Sequence, residues 1–510
     1  MISKTRNEQM RAQLATTSYD SELTLPRSGL MGNFIGGKWI KPVSGRTMAV
    51  ENPCRRDIVA MVGAADKHDV DAAVAAAKAA FPTWRRMAAR ARGALLTELG
   101  NRVSAHAEEI AKVLAAETGN ALRTQSRSEV ASTAEVLRYY GGVVSEQKGE
   151  TLPLGPGIFS YTTLEPLGVV GAIIPWNSPL VLAAVKIGMA LGTGNTLVLK
   201  PAEEAPLAVI KVAELAADIF PAGVFNVVTG TGIEAGAPLS NHPDVSKISF
   251  TGSVEVGKLV AHAAADRIAK VTLELGGKSP CIVYPDAATP EQLDTCATNV
   301  INAMRFARQG QSCTAGSRLF IHRDVFGPVV AKVVEKLKAM KVGDALDEAS
   351  DIGAIINAER YGEVCAFIRE AVDRGAKVEI GQVPAPANDT DGFMPGPVVL
   401  TGVDNSWRVV REEVFGPVLV AIPWTNEDEM IGWANDTHYG LAAYIFTNDI
   451  TTALRAAERI DTGWLQINRA GGQIPGMSYG GAKQSGIGAE YSIEGALESY
   501  TYRKSVTATV

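Results

Sequence analysis

The spacing of apolar residues changes character along the chain. Near the start, residues 33–40 predict two short strands around Gly36-Gly37, because paired glycines admit the positive φ angles of a tight hairpin turn. Three helices are predicted next. Val70, Val74, Ala77 and Phe81 fall at i, i+4, i+7 and i+11, one stripe of a helix, with Asp69, Asp71 and Lys78 expected on its other faces. Two more helices are predicted over 89–103 and 105–117, with Gly119 suited to ending the second.

From Leu164 short apolar runs alternate with helical segments. The predicted strands are 168–174, 196–199, 224–228, 247–250 and 270–275. A second set follows Cys313, at 318–321, 377–380, 414–422, 441–446 and 464–467. Runs that are apolar throughout, separated by helices, imply parallel sheets covered on both faces. The fold class is therefore α/β with two layered units. Residues 382–396, rich in Pro, Asp and Gly, read as a surface loop.

Composition narrows the function classes. The chain has 510 residues and a formal net charge of −6, so neither nucleic acid nor an anionic membrane finds a counter-charge. Residues 1–30 contain no apolar run of secretory type and read as a loosely held extension. The most apolar span, 179–199, is interrupted by Lys186 and Gly192-Thr-Gly-Asn195 and is not expected to cross a membrane. Five cysteines, odd in number and without a CxxC pair, argue against disulfides and structural zinc. No metal site is expected, and a reducing cytoplasm is the expected setting.

Several strand ends carry chemistry. Gly230-Thr-Gly232-Ile-Glu-Ala-Gly236 follows a predicted strand, with GxGxxxG spacing rather than the GxGxxG of a dinucleotide-binding turn. Alone it reads equally well as a plain strand-to-helix turn. Phe250-Thr-Gly-Ser253 is a second such turn, and Ser253 with the amides after it suits a pyrophosphate. Two neighbouring turns of this kind favour a dinucleotide site. In Lys200-Pro-Ala-Glu203 a carboxylate can accept from two ribose hydroxyls and would repel a 2′-phosphate. By itself that segment reads better as a solvated loop. Glu274-Leu-Gly-Gly-Lys278 places a carboxylate beside two residues without bulk. It is either an ordinary strand-end carboxylate or, if desolvated, a general base. In Gln309-Gly-Gln-Ser-Cys313 the cysteine lies in a polar loop, whereas Cys54, Cys281, Cys296 and Cys365 fall where burial is the default. No His in the same motif offers itself as a partner base.

Taken in order, Pro175-Trp-Asn177, Lys200-Pro-Ala-Glu203, Phe250-Thr-Gly-Ser253, Glu274-Leu-Gly-Gly-Lys278, Gly310-Gln-Ser-Cys313, Glu412-Glu-Val-Phe-Gly-Pro417 and Lys483-Gln-Ser-Gly486 resemble the NAD(P)-dependent aldehyde dehydrogenase superfamily. The resemblance runs from Phe34 to the C-terminus. It implies Cys313 as nucleophile, Asn177 and the Cys313 amide as oxyanion hole, Glu274 as the base that activates water, and Lys186 as a supporting residue, although a Lys at the core edge is also a fair reading. For the cofactor it implies NAD, with NADP possible, held by Ile173, Pro175, Trp176, Lys200, Glu203, Gly232, Gly236, Phe250, Ser253, Leu275, Glu413 and Phe415. It further implies a Rossmann-like cofactor domain (31–138 and 164–274), a catalytic domain (275–480) and a β arm (139–163 and 481–510) that pairs across subunits in a homodimer or homotetramer.

Two departures stand out. Arg308 replaces the asparagine usual five residues before the nucleophile, which puts a cation near the substrate mouth or reshapes the loop. The 39 residues from Glu274 to Cys313 exceed the family spacing, which places an insertion at 284–293. In the substrate pocket Ser178, Val185 and Ala307 stand where aromatics are common, with Tyr479 and Trp464 restoring part of the wall. That change favours a bulky or polar aldehyde. Two rivals differ in kind. A CoA-acylating enzyme would have no use for Glu274, and a catalytically silent binding protein would not need Cys313, Glu274 and Asn177 together.

Overall fold

The computed structural model describes residues 23–26, 31–385 and 391–510, so nearly all of the predicted N-terminal extension, and residues 386–390 of the predicted surface loop, lie outside the described residues. The first sheet runs in the order Gly486–Ile487, Lys270–Glu274, Val245–Thr251, Val169–Ile173, Thr196–Lys200, Phe225–Val227, Asn33–Ile35 and Lys38–Ile40. Its five central strands are parallel, and the hairpin and the Gly486–Ile487 strand add antiparallel edges. Among the parallel strands the chain starts at Val169–Ile173, builds two strands to one side and then two to the other. Loops leaving Ile173 and Thr251 therefore diverge, and a crevice opens at the carboxyl ends of these strands.

The second sheet runs Lys377–Ile380, Val398–Thr401, Val418–Trp424, Arg318–His322, Pro280–Val283, Ala442–Phe446 and Trp464–Ile467, parallel except for its first pair. The strand predicted at 414–422 begins only at Val418. Phe415 has φ +52 and Gly416-Pro417 cannot extend the ladder, so Val414 to Pro417 remain a loop.

The first long helix, Lys67–Trp84, buries Val70, Val74 and Ala77 as its pattern requires. Asp69 is buried too, contrary to the helical-wheel expectation. Its carboxylate completes a capping box with Asp66 and accepts from the Val43 amide at 3.1 Å, which satisfies it inside the fold. Helices Ala89–Ala105 and Ala107–Thr118 follow, and Gly119 closes the latter at φ +73.

Part of the segment expected in the arm is helical, since Tyr139 belongs to helix Arg127–Val143. Strand Ile158–Pro166 pairs with Thr151–Leu152 and, over nine residue pairs, with Thr501–Thr509 of the same chain. That pairing lies within one chain. No helix among the described residues is long and apolar enough to cross a membrane.

Candidate active site

The carboxyl ends of the first sheet meet the amino-terminal edge of the second. Glu274 ends the Lys270–Glu274 strand, while Gly276-Gly277, Cys313 and Glu413 lie in loops that lead into Pro280–Val283, Arg318–His322 and Val418–Trp424. Between them is a cavity of about 450 Å³ whose wall includes Asn177, Ser253, Glu274, Cys313, Glu413 and Tyr479.

Local backbone explains the placement. Arg305, Gln309 and Gly310 all have positive φ, so the chain kinks repeatedly before Cys313. The Gln311 side chain braces this loop, accepting from the Ile356 amide at 3.0 Å and donating to the Ala354 carbonyl at 3.3 Å. Asn177 donates from Nδ2 to the Gln311 carbonyl at 3.1 Å, which fixes the amide beside the Cys313 loop. Among the described residues the Cys313 N–H has no protein acceptor. A side chain at Gly276 would collide with the Glu413 carboxylate, and one at Gly277 with the Cys313 carbonyl. The two glycines let Glu274, Glu413 and Cys313 approach each other.

Glu274 is 4% exposed, and neither carboxylate oxygen has a hydrogen-bond partner among the described residues. Burial pushes its pKa well above the carboxylate range, nearby Glu490 adds to the rise, and Lys186 opposes it. Lys186 is fully buried and forms an ion pair with Glu490, which also accepts from Ser249 Oγ at 3.3 Å. It is therefore a core lysine with a fixed anionic partner rather than one at the core edge. Cys313 is pushed up to about 11, first by burial, with Glu413 and Glu274 adding to the rise, while a hydrogen bond from Tyr479 and the charge of Arg308 oppose it.

Next come the residues expected at the cofactor. Buried Lys200 donates to Glu203 Oε2 at 2.9 Å, so the solvated-loop alternative does not describe it. Burial raises the Glu203 pKa, but Lys200 and the Gly232 amide outweigh it and hold the group below its ordinary value. Its other oxygen accepts from the Gly232 amide at 3.3 Å. A Cβ at Gly232 would meet nothing, and one at Gly236 only Ile173 at 3.8 Å, so open space lies beside this carboxylate. Ser253 caps helix Val254–Ala265, Thr251 leaves a buried hydroxyl unpartnered on the cavity wall, and Phe415 meets Trp176 edge-on at 5.4 Å. Glu413 accepts from the Gly277 amide at 3.0 Å, and burial raises it to about 7. A chain of acceptors for ribose hydroxyls, a helix N-terminus and an aromatic edge fits a dinucleotide. Pro175 and Leu275 also line the cavity, whereas Phe250 is a core residue and Ile173 is only partly buried beside Gly236.

Of the residues expected in the substrate pocket, Ser178, Ala307 and Tyr479 line the cavity. Val185 does not. It is fully buried in helix Pro179–Gly192, and Val181 and Leu182 of that helix face the cavity instead. Trp464 stands behind the wall, its ring against Tyr479 at 5.8 Å. Arg308 reaches Ser178 Oγ and Gln125 Oε1 and forms an ion pair with buried Glu129 at 3.8 Å, so the unusual cation sits in the pocket wall. The expected insertion forms a 3-10 turn, Pro285–Ala288, whose Asp286 accepts from Thr447 Oγ1 at 2.8 Å and from the Asn448 amide at 2.7 Å.

The model of the aldehyde dehydrogenase family matches residues 39–506. The chain belongs to this family. An aldehyde dehydrogenase from Enchytraeus buchholzi is 41% identical over 478 residues, which cover 93% of this chain and 94% of the relative. A hydroxyisobutyraldehyde dehydrogenase from Mycolicibacterium austroafricanum is 39% identical, with 96% of each chain covered. Among solved structures, an NAD+ complex of an aldehyde dehydrogenase from Bacillus cereus superposes with a TM-score of 0.90 at 37% identity, covering 94% of this chain and 96% of the other. The site of this aldehyde dehydrogenase also contains residues that the sequence reading passed over. Glu490 had no motif of its own, only its place four residues after Lys483-Gln-Ser-Gly486. Gln125, in the π-helical turn Leu122–Ser126, and Glu129, in helix Arg127–Val143, belong to none of the motifs.

Proposed function

We propose that this aldehyde dehydrogenase oxidises an aldehyde to a carboxylic acid with NAD, through a thioester on Cys313. The observation that carries the reading is the convergence of Cys313, Asn177 and an unpartnered, buried Glu274 on one cavity. Cys313 Sγ adds to the carbonyl carbon, and the carbonyl oxygen takes the negative charge. Asn177 Nδ2 and the Cys313 N–H donate to it, each worth about 3 kcal/mol when aligned. NAD, when bound, accepts the hydride that the thiohemiacetal carbon gives up. Glu274 then takes a proton from water as that water attacks the thioester. The C–S bond breaks, the acid leaves and the thiolate returns.

For the cofactor, Lys200 and Glu203 would hold the adenosine ribose, Ser253 the pyrophosphate, and Glu413 with Phe415 the nicotinamide ribose and ring. Anionic Glu203 supports NAD over NADP, since a 2′-phosphate would meet like charge. Ser178 and Ala307 in place of aromatics, with Arg308 between them and Glu129, support a bulky or polar aldehyde. Residues 31–138 with 164–274, 275–480, and the arm would act as cofactor, catalytic and oligomerisation domains. The arm exposes Leu152, Leu154, Ile158 and Phe159, which supports a homodimer or homotetramer. Five free cysteines suit a reducing cytoplasm.

The test is an aldehyde panel read by near-UV NADH absorbance, with NAD and NADP in parallel and CoA added in a third arm. NAD-dependent turnover with free acid as product supports the reading. Acyl-CoA formation, or no turnover with any aldehyde, overturns it.

A further inference from the structure

The nucleophile has no histidine partner, and burial disfavours its thiolate. What touches the sulfur is a phenol. Tyr479 Oη lies 3.7 Å from Cys313 Sγ, the one side-chain hydrogen bond made by either residue among the described contacts. The phenol is rigidly mounted. Its ring packs edge-on against Trp464 at 5.8 Å and Tyr491 at 5.6 Å, and its backbone exchanges two hydrogen bonds with Glu490. A hydroxyl held this way loses little freedom when it donates, and donation to an anion is stronger than to a neutral acceptor.

We propose that Tyr479 is a catalytic hydrogen-bond donor to the Cys313 thiolate, beyond any part it plays in the aldehyde-binding wall. The inference rests on Cys313 being the nucleophile. Loss of the thiol proton to solvent through the cavity leaves a charge on sulfur, and Tyr479 donates to it while keeping its own proton. When the C–S bond forms, one sulfur lone pair becomes that bond and the charge leaves the sulfur, so the hydrogen bond weakens. When the thioester is hydrolysed, the electron pair returns to sulfur and Tyr479 donates again, so it assists departure as well as attack. Other groups set the background. Glu274, at the end of strand Lys270–Glu274, and Glu413, in the loop before Val418–Trp424, oppose the thiolate, Arg308 in the turn before Cys313 favours it, and the Tyr491 phenol stands alongside.

Tyr479→Phe keeps the ring and removes only the donor. In the full chain, free of aldehyde and cofactor, iodoacetamide labelling of the Cys313 peptide is followed by mass spectrometry across pH. The midpoint should rise by about one pH unit, so that labelling near neutrality falls about tenfold. Incorporating a fluorinated, more acidic tyrosine at 479 should move the midpoint down. Steady-state turnover of Tyr479→Phe should fall through kcat more than through the aldehyde KM. An unshifted labelling midpoint in both variants, with only the KM changed, would reduce Tyr479 to a wall residue and overturn the proposal. A Cys313→Ala enzyme that still turns over would instead remove the reading beneath it.

Discussion

On the side of Cys313 that faces Ser253 and Glu413, the cavity is lined by strand ends and the turns that leave them: Thr251-Gly-Ser253, Glu274-Leu-Gly276 and the loop of Glu413 and Phe415. On the side that faces Gln125 and Arg308, it is largely side chain, drawn from helix Arg127–Val143, helix Pro179–Gly192 and the residues around 305–308. The buried carboxylates repeat the contrast. Glu413 has a backbone amide as partner, whereas Glu129, across the cavity, depends on both the Leu180 amide and the Arg308 cation. Strand ends and glycine turns are held by backbone geometry and suit a fixed ligand. A wall of side chains can be recut, and here the departures Ser178, Ala307 and Arg308 fall on that half.

The contrast can be broken experimentally. The largest effect belongs to the residue both halves share: Cys313→Ala should lower NADH formation by about 10⁴-fold or more with every aldehyde, measured by absorbance. Glu274→Gln should slow steady-state turnover by about 10²–10⁴-fold while a first-turnover burst of NADH survives. The pH profile gives a second check. Only the carboxylate form can take a proton, so wild-type thioester hydrolysis should rise with pH through a midpoint above the ordinary carboxylate range, and Glu274→Gln should lose that inflection. Asn177→Ala should cost about 10²–10³-fold in kcat, with NAD affinity changed little in a fluorescence titration.

Smaller effects separate the halves. Glu203→Gln should narrow the preference for NAD over NADP about tenfold, read as the ratio of kcat/KM values, and leave the order of aldehydes intact. Arg308→Asn should reorder the aldehydes by up to about tenfold and leave the KM for NAD unmoved. If Arg308→Asn changed cofactor affinity as strongly as aldehyde preference, the division into two walls would fail.

The same division governs what could be read from the chain. Strand ends with glycines, such as Glu274-Leu-Gly-Gly-Lys278, announce themselves because main-chain geometry constrains residue type locally. The parallel sheets were equally legible from uninterrupted apolar runs. Val185 was misplaced because helix Pro179–Gly192 is apolar on nearly every face, so its sequence does not say which residues meet the cavity. Asp69 was misplaced because a capping box satisfies a carboxylate inside the fold, which helical spacing ignores. Glu490 went unread for another reason. It lies in an irregular segment joined to Tyr479 by a two-residue bridge, which periodicity does not announce.

That bridge brings a consequence for synthesis. A chain emerging from the ribosome presents Asn177, Glu274 and Cys313 long before Tyr479 and Glu490, and the strand Thr501–Thr509 that closes onto Ile158–Pro166 follows them. Until then Cys313 lacks its phenol neighbour and Lys186 lacks its anion. A chain made only that far would carry these groups without the surroundings described above, and the site is completed only once the segment around Tyr479 and Glu490 has been made.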